Sequence, residues 1–463
     1  MERVLEFFAE ISKIPRGSGN TDGISEYCVN FAKKRGLEAL RDGFNNVIIK
    51  KPAAKGCEMA EPVMLQAHLD MVCEKEDGKI FDFASDPIEL TEKDGWLTAN
   101  GTTLGADDGI GVAMIMAVLD SKDLLHPEIE AVFTTDEEIG MDGAIGIDLS
   151  GVQSKRLINL DSETADTLTV SCAGGCIAKC FIPLSETAFE GKLYRIGVDG
   201  LLGGHSGVDI DKGRANANML LGRILYSIGD YALCSFSGGD KHNVIPTAAE
   251  AVIKCGFDPR EKVSDILKEI RCEYGSCDSG IAAECCEIAG DYAAFSSEAA
   301  DFLTAVPNGV FSMNNDIPGL VRTSLSLAAV KTNGGFLECE FFIRSSSESE
   351  KEYLKNKISV ISKHFEGKTV FDGEYPAWEY NKNSALLKTM TDTFVGMFGF
   401  EPKIEAIHAG LECGIFCGKI KGLECVSICP DILDIHTPNE RMELKSLEKA
   451  WNYFTEVLKK IGE

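Results

Sequence analysis

Apolar residues in the first third of the chain come in short unbroken runs. Segments 62–66 (PVMLQ), 129–134 (IEAVFT) and 157–160 (LINL) read as strands buried on both faces, and 109–120 (GIGVAMIMAVLD) reads as a helix buried on nearly every side. The opening MERVLEFFAEISKIP spaces Glu2, Glu6 and Glu10 among apolar residues, which predicts an amphipathic helix and not a signal peptide. Strands separated by helical patterns imply an α/β architecture with a mostly parallel sheet flanked by helices.

The middle of the chain is patterned differently. Segment 193–198 (LYRIGV) alternates like a half-buried strand, 215–228 is helical in period, and 249–255 and 337–343 read as strands around a helical stretch near 259–274. These features predict an α+β segment whose antiparallel strands face helices on one side. The α/β pattern then returns: a helix over 386–398, a glycine-rich turn over 408–414, a strand near 426–429, a loop and a closing helix. The economical reading is one α/β domain, 1–173 and 379–463, interrupted by an inserted α+β domain, 174–378.

At 463 residues the chain exceeds one ordinary core, in keeping with two domains. Hydrophobic residues make up 44% and charged residues 26%, a globular balance that excludes wholesale disorder. The unusual quantity is charge: 46 Lys and Arg stand against 73 Asp and Glu, a net charge of −27. Such a surface repels phosphate backbones and anionic lipid, so neither nucleic acid nor a membrane is an expected partner. The longest apolar run, near 111–119, is about half a membrane span. The 17 cysteines form no Cys-x-x-Cys pair, which argues against zinc ribbons and thioredoxin-like sites. So many thiols in apolar runs point to a reducing compartment, the cytoplasm.

Histidines and acids gather where the predicted strands end. His68 and Asp70 close the first; Asp136, Glu137 and Glu138 follow the next; Asp161 follows 157–160, and His436 lies beyond the last. Asp107 and Asp108 follow Gly105 at a helix start. In an open α/β sheet, ligands bind in the crevice beyond the carboxyl ends of the strands. Imidazole plus carboxylate is the donor set of Zn2+, Mn2+ or Co2+, and two histidines with three or more carboxylates suit two ions sharing one carboxylate. Taken singly, each feature has an ordinary structural explanation. An H-x-D occurs by chance, an Asp pair caps a helix, and a DEE run makes a solvated turn. Their joint occurrence at the strand ends of one sheet is what those explanations leave out.

The stretches QAHLDMV, LGADDGIGVAMIMA, TTDEEIGMDGA, NLDSE, GGHSG, AVPNGV, FIRS, IHAGLECGIF and HTPNER together closely resemble the M20 metallopeptidases, in their Xaa-His and nonspecific dipeptidase branch. The resemblance runs over nearly the whole chain, insertion included. It implies that His68 and Asp161 hold one ion, that Glu138 and His436 hold the other, and that Asp107 bridges them. Zinc is the first expectation for the two ions, with manganese or cobalt as alternatives. Asp70 would fix the tautomer of His68 through its far nitrogen. Glu137 would be the general base, taking a proton from a metal-bridging water and passing it to the leaving amine.

The same resemblance assigns roles in the insertion. His205, in GGHSG, would stabilise the oxyanion in a neighbouring subunit of a homodimer. Arg344, in FFIRSS, would clamp the free carboxylate of the substrate, and Asn243, in HNVIP, would also reach the substrate. A core histidine and a surface arginine are the structural alternatives for His205 and Arg344. His408 would line the pocket and Glu412 would meet the substrate amine, while His126, His242 and His364 read as surface or structural. Asp108 stands where close members of the branch have Asn.

The reading that follows is a cytoplasmic, homodimeric di-metal dipeptidase acting on a small peptide, with the insertion as lid and dimer contact. An M20-type deacylase of N-acyl amino acids would use the same metals and base. A non-catalytic metal or peptide binder would have no use for Glu137 beside a full ligand set.

Overall fold

The computed structural model describes residues 1–463. The chain forms two compact units: Met1–Ser171 with Tyr380–Ala406 and Leu411–Glu463, and Cys172–Glu379 with the short excursion Ile407–Gly410.

The first unit is built on an eight-stranded sheet. Its centre, in order, is Ile129–Thr134, Val63–His68, Arg156–Asn159 and Glu424–Ser427, all parallel. Val63–His68 and Ile129–Thr134 are buried along their whole length, which is why their sequences are continuous apolar runs. The sheet is mixed rather than mostly parallel. Glu38–Arg41 and Val47–Lys51 join one side antiparallel, and Thr167–Cys172 meets the other side antiparallel. These antiparallel strands need no crossover helix, so the helix–strand alternation in the sequence does not announce them.

Helices cover the sheet as their apolar spacing requires. Glu2–Ile11 buries Val4, Phe7, Phe8 and Ile11, one helical stripe. It packs on Ala106–Asp120, which is buried on nearly all sides. The closing helix, Leu444–Gly462, buries Leu447, Phe454, Leu458 and Ile461. The glycine-rich stretch 408–414 departs from expectation. Its second half opens the helix Glu412–Lys419, whose buried Cys413, Ile415 and Phe416 supply an apolar face that Gly410 and Gly414 obscure in the sequence.

The second unit carries a ten-stranded sheet in which every described pairing is antiparallel. Its longest strand, Val321–Asn333, forms a hairpin with Phe336–Ser345, which pairs in turn with Gly174–Pro183. The helices Ala217–Ile228, Glu298–Ala305 and Glu348–His364 pack with the sheet around one apolar core that includes Leu221, Phe302, Phe341 and Leu354. Asn216 caps Ala217–Ile228: its side-chain oxygen accepts from Asn218 N at 3.0 Å and Met219 N at 3.3 Å. No helix of the chain is long and apolar enough to cross a membrane.

Candidate active site

The parallel centre of the first unit delivers the acids and histidines. His68 is the last residue of Val63–His68, Asp161 lies two residues past Arg156–Asn159, and Asp136, Glu137 and Glu138 follow Ile129–Thr134. Asp107 opens the helix Ala106–Asp120, and His436 lies in the loop between Ile432–Leu433 and Arg441–Glu443. Asp136 and His436 have φ of 56° and 60°. Each is a left-handed turn that a non-glycine residue adopts only when its surroundings hold it there.

These side chains converge. Donor atoms of His68, Asp107 and Asp161 lie within 4.8 Å of one another, as do those of Asp107, Glu138 and His436, and those of His68, Glu137 and Glu138. His68, Asp107 and Glu138 each belong to two of these groups, and Asp107 alone reaches both imidazoles with separate oxygens: its Oδ1 is 3.1 Å from His68 Nε2 and its Oδ2 is 3.1 Å from His436 Nε2. Glu138 Oε2 is 3.0 Å from His436 Nε2, and Asp161 Oδ1 is 3.8 Å from His68 Nε2.

Asp70 stands behind His68, its Oδ1 3.4 Å from Nδ1. It also accepts from the backbone N–H groups of Glu137, at 3.2 Å, and Glu138, at 3.4 Å, and from Ser18 Oγ at 2.7 Å. One buried carboxylate therefore orients an imidazole and holds the acidic turn.

The protonation of the cluster follows from crowding acids in a buried place. Burial opposes charge on His68, but Asp107 and Asp70 outweigh it and hold the imidazole well above its ordinary range. Hydrogen bonds to Asp107 and Glu138 push His436 up to about 10. Burial works against the Asp107 carboxylate too, yet His436 and His68 hold it far below the usual range. Burial raises Asp161, with Asp107 and Glu137 adding to its effect against His68. The cluster draws in positive charge wherever it can. Nitrogen and carboxylate oxygen donors in this number fit a pair of divalent ions such as Zn2+, Mn2+ or Co2+.

Glu137 is buried beside them, and burial pushes its carboxyl up to about 8, with His68 opposing and Glu412 reinforcing. Asp108 is buried, and its Oδ2 accepts from His68 N at 3.1 Å.

Glu412 is wholly buried; its Oε2 accepts from Gln66 Nε2 at 2.6 Å and Thr134 Oγ1 at 2.7 Å, while its Oε1 has no hydrogen-bond partner. Burial raises it to about 8. Gln66 in turn accepts from Asn159 Nδ2 at 2.6 Å, and Asn159 Oδ1 accepts from Asp161 N at 3.1 Å and from Ser427 Oγ. This chain of polar groups supports the strand ends from below. Gln66 and Asn159 each stand inside a diagnostic stretch, QAHLD and NLDSE, but as uncharged amides carry no mark of this role in the sequence.

The remaining candidates collect in the second unit. Arg344, 4% exposed, has no ion pair; its Nη1 donates to Tyr375 Oη at 3.3 Å, its Nε is buried without a partner, and its guanidinium carbon sits 4.2 Å from the Phe342 ring centroid. His205 Nδ1 accepts from Gly207 N at 3.2 Å and Val208 N at 3.1 Å, so the ring proton of the neutral imidazole resides on Nε2. That Nε2 is 3.4 Å from Arg344 Nη2. Two donors facing one another leave a place for an anionic oxygen. A side chain at Gly207 would come 2.5 Å from His408 O, which explains the glycine after His205.

Asn243, half-buried, accepts from Ser206 N at 2.8 Å through its backbone oxygen, and Val244 pairs with His205. His408 is buried against Ser324, with Nε2 2.7 Å from Ser324 Oγ. Burial, with Arg344 nearby, lowers it to about 3. Of the other histidines, His126 is buried on Pro127 O, while His242 and His364 are exposed. Tyr375, which sequence reasoning did not single out, fits its ring against Gly175 and Gly410, where any side chain would collide with it.

Peptidase family M20/M25/M40 matches residues 64–460 of this chain. The cytosol non-specific dipeptidase of Escherichia coli (strain K12) is 36% identical over 469 residues, 98% of this chain and 97% of that protein. The crystal structure of aminoacylhistidine dipeptidase from Vibrio alginolyticus superposes with a TM-score of 0.91 at 33% identity, over 99% of this chain and 96% of that one. Aminopeptidase PepT from Bacillus cereus, with a TM-score of 0.60 at 16% identity over 100% of this chain and 99% of that one, shares the fold.

Proposed function

Because the chain belongs to peptidase family M20/M25/M40, we propose that it is a cytoplasmic dipeptidase that works with two divalent metal ions. The observation that carries this reading is the convergence of His68, Asp107, Glu138, Asp161 and His436 around the shared Asp107, with Glu137 buried beside them. Those five residues would hold the ions, with zinc the first choice and manganese or cobalt as alternatives. When bound, the ions supply Lewis acidity to the peptide carbonyl and make water acidic enough to lose a proton near neutral pH.

The chain's own residues do the rest. Glu137 takes the proton from the attacking water on its carboxylate and returns it to the departing amine nitrogen. Its burial favours keeping that proton between the two transfers. Asp70 holds His68 and the Glu137 backbone in register. His205 donates a hydrogen bond from its Nε2–H to the oxygen that gains charge as the carbonyl is attacked. Arg344 takes the C-terminal carboxylate, and Asn243 adds a polar contact. An anchor for that carboxylate measures substrate length, because a tripeptide puts its own carboxylate one residue too far. The second unit would serve as lid and dimer contact.

The deciding experiment is a hydrolysis screen of the metal-reconstituted protein on dipeptides, Xaa-His among them, matched tripeptides and N-acetyl amino acids. Turnover confined to dipeptides is expected. Turnover of N-acetyl amino acids alone would make the protein a deacylase, and no turnover with both ions bound would make it a binder. The dimer reading has its own check: mixing Glu137→Gln chains with His205→Ala chains should restore activity. No recovery after verified subunit exchange would place His205 in its own chain's chemistry.

A further inference from the structure

Glu440 is 2% exposed, and its carboxylate accepts a set of backbone N–H groups from one turn. Leu104 N at 2.8 Å and Gly105 N at 2.9 Å donate to Oε2; Ala106 N at 2.8 Å and Asp107 N at 3.3 Å donate to Oε1. They belong to the turn that leads into the helix Ala106–Asp120, whose N-cap residue, Gly105, has no side chain to serve them. An acid 336 positions away from Leu104 serves them instead.

Arg16, also buried, grips the same turn from its carbonyl edge. Its Nη2 donates to Gly105 O, and its Nη1 donates to Leu69 O at 3.0 Å and Asp70 O at 2.9 Å. Gly105 has φ of 69°, and a Cβ there would stand 2.6 Å from Arg16 Nη2 and 2.7 Å from Met71 Sδ. The three segments that carry His68, Asp107 and His436 are thus tied together by one buried acid and one buried base. Glu440 lies four residues past His436 in the same loop.

We propose that Glu440 is a positioning residue of the metal centre: its hydrogen bonds to residues 104–107 fix the shared ligand Asp107 relative to His436, with Arg16 holding the turn toward His68. The proposal rests on the di-metal reading above. A carboxylate suits the task because it only accepts, and its oxygens have as many lone-pair sites as the turn has donors. A glutamine would set an NH2 group against two of those N–H groups and force the turn to move. An ordinary helix cap affects stability alone; a positioning residue also affects metal affinity, and here the affinity for both ions, because Asp107 serves both.

The test is calorimetric titration of the metal-stripped full chain with Zn2+, with thermal melting of the same stripped samples. The unmutated chain should take up two equivalents. Glu440→Gln should weaken both equivalents on the order of ten- to a hundred-fold, whereas Glu138→Gln should weaken one. Co2+ absorption of the loaded variant should shift as well, since Asp107 no longer stands in the same place. Wild-type Zn2+ affinity in folded Glu440→Gln, with only a lower melting temperature, would overturn the proposal. Should that variant not fold, Glu440→Asp keeps an acceptor-only group and withdraws it by one methylene. Weakened uptake of both ions in folded Glu440→Asp supports the proposal, and wild-type uptake overturns it. An unmutated chain that binds fewer than two equivalents would remove the di-metal reading itself, and the proposal with it.

Discussion

In the first unit, Asp70, Asp107, Glu137, Glu138 and Asp161 crowd around His68 and His436, and both imidazoles are drawn toward the charged form. In the second, Arg344 is buried with no carboxylate in reach, beside His205 and His408, both of which burial and Arg344 drive toward the neutral form. The same residue type, histidine, is thus pulled in opposite directions, by surrounding acids in one region and by burial beside Arg344 in the other. A buried charge without a partner is costly, and Arg344 is such a charge, whereas the buried acids of the first region share two imidazoles. On the reading proposed above, the acidic region would take divalent cations and the cationic region the carboxylate of the substrate.

The largest expected effect lies in the acidic region and separates base from ligand. Glu137→Gln should keep both metal equivalents and lower turnover by about 10²- to 10⁴-fold, since an amide cannot accept the proton of water. Equal metal loss in Glu137→Gln and Glu138→Gln, read by metal analysis after dialysis, would erase that distinction.

Next in size is the cationic region. Arg344→Ala should cost dipeptide hydrolysis about 2–5 kcal/mol in kcat/KM, the range for removing one side of a buried charge pair. It should also abolish the preference for a free over an amidated C-terminus, while Zn2+ uptake stays unchanged. An Arg344→Ala chain that still prefers free carboxylates would move the anion site elsewhere.

How much of these two regions the sequence discloses depends on what each residue's partner is. His68, Asp161 and Glu138 are legible because strands buried on both faces appear as unbroken apolar runs, and ligands gather at the ends of such strands. Arg344 is legible as a charge closing an apolar strand. Glu412 and Glu440 look like any other acids. Their environments come from groups far along the chain, Gln66 at a separation of 346 residues for Glu412 and the amides of residues 104–107 for Glu440. Nothing local marks which backbone amides a distant carboxylate will meet. The edge strands Glu38–Arg41 and Leu90–Lys93 are missed for another reason: they are short, partly exposed and polar, so no run or clean alternation marks them.

A smaller effect concerns acid stability. His408 has a folded value of about 3 against an ordinary 6.5. Between those values the unfolded chain binds the proton and the folded one does not, so this group makes stability rise with pH across that window and fall as acid is added. Its share of the slope is at most about 1.4 kcal/mol per pH unit. Denaturant unfolding of His408→Gln between pH 4.5 and 7 should show a flatter dependence than the unmutated chain. An unchanged slope would mean that His408 is not the neutral, buried group described here.

The smallest effect asks whether the two regions are independent. Asn216 is 4% exposed and does two things at once in the second unit. Its oxygen caps the helix Ala217–Ile228, and its Nδ2 donates to Leu327 O at 2.9 Å. Asn216→Ala removes both, at a cost of about 1–2 kcal/mol. Asn216→Asp keeps the cap and loses the donor, so it should fall between Ala and the unmutated chain in thermal melting. Both changes act on bonds within the second unit, so Zn2+ affinity of the acidic cluster should match the unmutated chain in both. If Asn216→Ala weakened Zn2+ uptake in protein shown to be folded, the acidic cluster would depend on the packing of the second unit. The contrast between a cation-seeking and an anion-seeking region would then describe one coupled site instead of two separately built ones.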